Sequence, residues 1–349
     1  MRTFTSRGKR SERRQPRPTM RDVAALAHVS VTTVSRVINE EPGVSARLAV
    51  RVGAAIEQLN YRHNLTASSL RRADGRGGTI GVVLEYIADP FDALMHRAIE
   101  EYALTRGVLV LAGSLLEDEA RERELIAALA ARRVDGLVIM PAGHDQSYLM
   151  NERRSGTPMV FVDRPPGFFD ADDVLTDNLD GSRRGVGHLL AHGHRRVGYL
   201  GDLQTITTAA LRHQGYREEL TAHGIGVDDR LVRTDVRGSE RAEAATREIL
   251  SNKPAPTALF AGQGPLTTGA YRALRSLGLH HKVALVGFDD IPLADLLEPG
   301  ITVMAQDPAS MGRAAAELLF RRMDGDRSPS VHQVIPTRLI TRGSGEIRP

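Results

Sequence analysis

The chain has no cysteine and no tryptophan, and aromatic residues make up 4% of its 349 positions. Without thiols there is no disulfide framework, no Cys-ligated zinc and no thiol nucleophile. So few rings leave few flat apolar surfaces for stacking. No stretch approaches the roughly 18 apolar residues of a membrane span. The basic amino terminus is not followed by the apolar run of a signal peptide, so a cytoplasmic protein with no membrane partner is expected. What is present is ordinary globular composition, 41% hydrophobic and 26% charged, at a length that accommodates two or three domains.

The net charge of +3 conceals an asymmetry. Residues 1–76 carry fifteen Lys or Arg against six acids, a surplus of +9, which leaves −6 for the remainder. A basic head on an acidic body points to a polyanion as the partner of the head alone. Residues 1–18 are rich in Arg, contain Pro16 and Pro18 and have almost nothing apolar, so they are expected to form a disordered basic tail.

Residues 19–39, TMRDVAALAHVSVTTVSRVIN, have the pattern of two short helices joined by a tight turn. Thr19 is placed to cap the first helix, with Asp22 three residues later. Ser30 is placed to cap the second, in which Val34, Val37 and Ile38 share one face. The opposite face carries Thr32, Ser35, Arg36 and Asn39. Hydroxyls, an amide and one guanidinium suit a major groove, where Arg pairs with guanine and a Thr methyl meets the thymine methyl. Taken alone, the same pattern also fits a small helical hairpin with a solvated outer face. Pro42-Gly43 marks a turn, Ser45 a third cap, and Leu48, Val52, Ala55, Ile56 and Leu59 a third helix. Residues 62–74, RHNLTASSLRRAD, are helical in composition but too short to be stable alone; docked on DNA, an apolar Leu there can wedge between base steps. A plain linker is the simpler reading of that segment.

From Thr79 the period changes. TIGVVL, VLVLAG, DGLVIM and MVFVD are short apolar runs separated by helical stretches, and RRVGYLG, LVRTD, TALFAG and VALVGFDD repeat the pattern. Such runs are strands buried on both faces of a parallel sheet. The fold class is therefore α/β, two doubly wound parallel-sheet lobes behind a small all-α headpiece, with ligands expected at the carboxyl ends of the strands. ITVMAQD precedes a helix near 309–322 and a last strand near 334–341.

The blocks DVAALAHVSVTTVSRVIN, NYRHNLTASSL, IGVV, DPF, DGLVIM, FVDRPP, HGHRRVGYL, the run from Arg212 to Tyr216, LVGFDD and AQD stand in an order that resembles the LacI/GalR family of bacterial transcriptional regulators. The resemblance covers nearly the whole chain from Met20. It implies a helix-turn-helix headpiece at 19–63, a hinge helix and linker at 64–78, and a periplasmic-binding-protein-like effector and dimerisation core at 79–349. Within that core one lobe would span 79–177 plus 308–336 and the other 178–304 plus 337–349. By the same resemblance Val31, Thr32 and Arg36 read base edges, Thr33, Ser35, Asn39 and Asn64 contact or position the DNA backbone, and Ala67 and Leu70 enter the minor groove. Asp89, Phe91, Asp163, Arg212, Gln263, Asp289 and Gln306 match positions that line the effector cleft. The expected partners are a pseudopalindromic double-stranded operator, a small carbohydrate effector and a second copy of the chain. No cofactor or metal is expected.

Two positions depart from the family pattern. His28 stands where Gly is usual in the turn; His tolerates φ > 0 better than most side chains, so a strained but intact turn is expected. Gln263-Gly264 stands where many members have Asn-Asp, which leaves the effector's identity open. Phe91, Tyr86, Phe168 and Phe288 are the rings available to stack on a sugar. His188, His192 and His194 lack a further ligand or base for a metal site, and the acids at 177, 180, 289 and 290 lack a nucleophile or oxyanion donor, so neither metal binding nor catalysis is expected. A transporter's solute-binding protein would share the two-lobed core but require a signal peptide and no headpiece. The end of the chain shows no heptads, so a dimer rather than a tetramer is expected.

Overall fold

The structure is a computed structural model that describes residues 18–38, 41–62 and 77–349. The expected tail and the positions Asn39, Asn64, Ala67 and Leu70 lie outside the described residues. The chain divides into two units, Met1–Gly75 and Arg76–Pro349.

In the first unit α1 (Met20–Leu26), α2 (Val31–Ile38) and α3 (Ala46–Leu59) pack around Val23, Ala24, Ala27, Val34, Val52 and Ala55. The Asp22 carboxylate accepts hydrogen bonds from the Thr19 N–H and hydroxyl, each at 2.7 Å, and so fixes the start of α1. Ser30 Oγ accepts from the Thr33 N–H at 3.0 Å and caps α2. His28 takes φ 49 in the turn between them. The expectation that Ser45 caps α3 is corrected: it occupies the capping position in extended backbone, but its side chain makes no capping hydrogen bond.

The second unit contains β1 (Thr79–Leu84), α4 (Pro90–Thr105), β2 (Leu109–Ser114), α5 (Glu119–Ala131), β3 (Leu137–Ile139), α6 (Met150–Arg154), β4 (Met159–Val162) and β5 (Asp172–Thr176). Next come α7 (Asn178–Ala191), β6 (Val197–Leu200), α8 (Thr207–Ala222), β7 (Val232–Arg233), α9 (Gly238–Ser251), β8 (Ala258–Ala261), α10 (Gly264–Ser276), β9 (Ala284–Phe288) and β10 (Thr302–Ala305). Then follow α11 (Pro308–Met323), β11 (His332–Ile335) and β12 (Arg338–Ile340). The strands form two sheets, in the orders β11-β5-β4-β3-β1-β2 and β12-β10-β9-β8-β6-β7. Pairing is parallel throughout except between β10 and β12. Helices cover both faces of each sheet, as fully apolar parallel strands require.

The chain passes between the lobes after β5, after β10 and after β11. Two of the crossings are tied together: Asp177 Oδ1 accepts from the Thr337 N–H at 2.7 Å, and Arg184 donates to Asp177 Oδ2 at 2.6 Å. One expected strand at 334–341 is therefore two strands in different sheets. Pro336, which has no N–H for a ladder, stands between them. Strand β5 has no apolar run to announce it, because its first two residues are acids consumed by partners: Asp172 pairs with Arg322 at 2.7 Å and Asp173 with His332 at 2.7 Å. The expected strand at 231–235 is reduced to two residues. In the second lobe α7 and α8 pack closely because Gly215 presents no side chain; a Cβ there would lie 2.4 Å from the Leu179 carbonyl oxygen.

Candidate functional site

A cleft of about 910 Å³ opens between the carboxyl ends of the two sheets and is lined from both lobes. Asp163 follows β4 and Asp289 follows β9, and the two are equivalent in their lobes. Each has positive φ, 63° and 72°, and each N–H bonds across to the neighbouring strand, at Val174 and Met304, at 3.0 Å. Non-glycine residues in this region are sparsely populated, and here the strand pairing holds them so that the carboxylates face the cleft. Burial raises the Asp163 pKa above the usual carboxylate range.

Each expected cleft residue lines the cavity: Asp89, Phe91, Asp163, Arg212, Gln263, Asp289 and Gln306. Asp89 caps α4, accepting from the Phe91 N–H at 2.9 Å, and burial raises its pKa. That cap fixes Phe91, which packs against the first lobe's core. Arg212 on α8 donates through Nε to Asn178 Oδ1 at 2.7 Å and through Nη1 to the Gly262 carbonyl at 2.9 Å. Its guanidinium lies 4.0 Å above the Phe288 ring and 3.9 Å from the Asp289 carboxylate. Gln306, in a crossing between lobes, donates to Asp289 Oδ1 at 2.6 Å, and its own Oε1 is buried without a hydrogen-bond partner among the described residues. Gln263 precedes α10 and contributes a backbone carbonyl to Thr267. Of the four rings, Tyr86 and Phe91 line the cleft; Phe288 is fully buried beneath Arg212, and Phe168 is not among the lining residues.

Sequence reasoning missed an ion network at the cleft base. Arg164 pairs with Glu117 and, at 3.3 Å, with Glu85 of β1's end. Glu85 in turn accepts from Arg237 of the other lobe at 2.7 Å, and Arg237 stands 3.4 Å from Asp202. Burial, then the neighbouring Glu117 charge, pushes the Glu85 pKa up to about 8. Burial pushes Asp92, which accepts from the Tyr86 N–H at 2.7 Å, up to about 7. Arg164 adjoins Asp163 in FVDRPP and so was visible; Glu85 and Arg237 lie in no distinctive pattern and meet only through the fold.

In the headpiece Val31, Thr32 and Arg36 are exposed on α2, while Thr33 and Ser35 are half-buried. Thr33 Oγ1 shares a 2.9 Å hydrogen bond with Ser30 Oγ. Arg36 has an acidic neighbour that the two-helix pattern did not include, Glu41 at 3.4 Å, with both side chains about half exposed. Among the described residues no group of His, Cys, Asp or Glu could hold a metal ion, and no helix is long and apolar enough to cross a membrane.

A three-helix head with an exposed polar recognition face, joined in one chain to a two-lobed α/β core with an interlobe cleft, defines a ligand-binding DNA regulator. Residues 19–64 match the bacterial regulatory proteins of the lacI family, and residues 186–345 match the periplasmic binding protein-like domain. The chain is 32% identical over 328 residues to the HTH-type transcriptional regulator GalR of Escherichia coli (strain K12), covering 93% of this chain and 95% of that one. The structure of a Lac repressor dimer bound to operator and the anti-inducer ONPF superposes with a TM-score of 0.83 at 27% identity, covering 95% of this chain and 99% of that one. A transcriptional regulator CelR–cellobiose complex superposes with a TM-score of 0.70 at 32% identity, covering 94% of this chain and 100% of that one. The chain belongs to the LacI family of bacterial transcriptional regulators.

Proposed function

We propose that the chain is a dimeric repressor whose operator affinity is set by a carbohydrate bound in the interlobe cleft. The observation that carries this reading is the convergence of Asp89 and Asp163 from one lobe with Arg212 and Asp289 from the other around one cavity. Carboxylates accept hydroxyl protons and a guanidinium donates a fixed fork, a combination that orients a polyol. A ligand touching both lobes favours one relative orientation of them, and operator affinity changes to the extent that DNA favours another. Val31, Thr32 and Arg36 read bases; Thr33, Ser35, Asn39 and Asn64 position the headpiece; Ala67 and Leu70 enter the minor groove. A likeness to a CelR–cellobiose complex supports the carbohydrate.

Dimerisation is supported by the first lobe's free edge. Strand β2 ends its sheet and exposes Leu109 and Leu111, and the adjacent α4 exposes Leu94 and Leu104. An unpaired apolar edge is a liability in a monomer and a natural seat for a second copy. The test is a thermal-shift screen of sugars on the full chain, followed by fluorescence anisotropy on DNA selected from random sequence. A sugar present at 100 times its Kd should stabilise the core by about 2.7 kcal/mol and alter DNA affinity. If no sugar does either, the carbohydrate reading is wrong.

A further inference from the structure

The cleft's charge arrangement bears on which carbohydrate it takes, an inference that rests on the carbohydrate reading above. Eight carboxylates and four guanidinium groups line the cavity. Its three buried or half-buried guanidinium groups are already engaged by the chain: Arg164 by Glu117 and Glu85, Arg237 by Glu85 and Asp202, and Arg212 by Asn178 and the Gly262 carbonyl over the Phe288 ring. The fourth, Arg338, is exposed at the cavity wall. At Arg164 or Arg237 an incoming phosphate or carboxylate would displace an acid and leave it uncompensated in the cleft base.

Three of the helix N-termini at the cleft are occupied as well. A helix N-terminus offers free N–H groups and a positive dipole end. Here the chain's own carboxylates fill three of them: Asp89 accepts from the Phe91 N–H at 2.9 Å, Asp289 from the Gly264 N–H at 3.2 Å, and Asp307 from the Ser310 N–H at 2.9 Å. The starts of α8 and α9, where Ile206 and Arg237 make no side-chain capping bond, are not filled in this way. Meanwhile Asp163 is more than nine-tenths buried, lies against the cavity, and has an ion pair to Arg164 at 3.6 Å but accepts no hydrogen bond among the described residues. Burial already disfavours the charged forms of Asp89, Asp163 and Asp202, and a negative charge beside them would disfavour those forms further.

We infer that the cleft selects a donor-rich carbohydrate without negative charge, neutral or amino-bearing, and excludes its phosphorylated and carboxylated derivatives. Hydroxyl or ammonium donors of such a ligand satisfy Asp163 and Asp89, whereas an ionised phosphate or carboxylate group carries no donor for either.

The experiment is calorimetry on the full chain at pH 7.5 with three sugar series, those of glucose, galactose and cellobiose. Each parent is compared with its amino, 6-phosphate and uronic acid forms. Within a series that binds, the phosphate and the uronate should bind at least 30-fold more weakly than the parent. Equal or tighter binding of either anion overturns the inference while leaving the carbohydrate reading intact, whereas failure of every member in all series removes that reading and this inference with it. Asp89→Asn keeps the cap on α4 and removes one charge, so it should narrow the parent-to-phosphate ratio severalfold. An unchanged ratio would mean that shape and not charge excludes the anion, and would overturn the argument.

Discussion

Glu85→Gln is expected to make the core more stable in mild alkali, not less, although it removes an acid that touches two arginines. Glu85 sits at the lobe boundary with its carboxylate against Arg164 and Arg237, yet burial and the adjacent Glu117 outweigh both cations and place its pKa at about 8. In the unfolded chain the group ionises near its ordinary value of 4.5. Because the folded pKa is the higher one, the folded state holds the proton across the interval. The associated stability is fully present below about pH 4.5 and is lost as pH rises toward 8. Between pH 5 and pH 8 the loss from this one group is roughly 3 kcal/mol, at about 1.36 kcal/mol per pH unit. Gln has no proton to lose, and Arg164 keeps Glu117 while Arg237 keeps Asp202. Scanning calorimetry of wild type and variant at several pH values between 5 and 8 tests this. The gap between the two melting temperatures should change in the variant's favour as pH rises, by roughly 6–12 °C in all at about 2–4 °C per kcal/mol. Parallel pH curves would refute the reasoning, because they would mean that Glu85 is ionised throughout and its ion pairs outweigh its burial.

Arg212→Ala should weaken effector binding at least 100-fold, about 2.7 kcal/mol, while operator binding without effector persists; calorimetry and anisotropy on the same preparation separate the two. Asp135 gathers the N–H groups of Gly77, Gly78 and Thr79 at 2.6, 2.7 and 3.1 Å where the chain enters the core. Asp135→Ala should therefore leave effector affinity within about twofold, since those bonds are remote from the cleft lining, but lower the core's stability by roughly 1–3 kcal/mol and reduce the effector's influence on DNA affinity. Undiminished influence would show that this anchor takes no part in coupling. Arg36→Ala should reduce sequence discrimination by about 1–3 kcal/mol in competition binding against scrambled DNA; uniform loss on both DNAs would make Arg36 a phosphate contact. Its Glu41 pair is too exposed to offset that, surface pairs being worth about 0–1 kcal/mol.

Much of this molecule is legible in its residue order because the signals are local. Helix caps at Thr19 and Ser30, the apolar period within α2, and the change at Thr79 to short apolar runs each depend on neighbours a few positions apart. The resemblance then named cleft residues that lie up to 217 positions apart, from Asp89 to Gln306, and all of them line one cavity. Legibility failed where a polar residue belongs to a distant partner. The acids opening β5 hid a strand because Arg322 and His332, 150 and 159 positions away, are what neutralise them.

The sequence by itself determined the two-part plan, the family, the basic head and the candidate DNA-reading face, since periodicity, capping and composition require no knowledge of what folds against what. Only the tertiary structure decided the electrostatics of the cleft. Whether Arg164, Arg212 and Arg237 are available to a ligand depends on Glu117, Asn178 and Glu85, and whether Glu85 carries its charge depends on how deeply the two lobes bury it. Burial and charge pairing are properties of positions in space, so a count of acids and bases along the chain cannot reveal them.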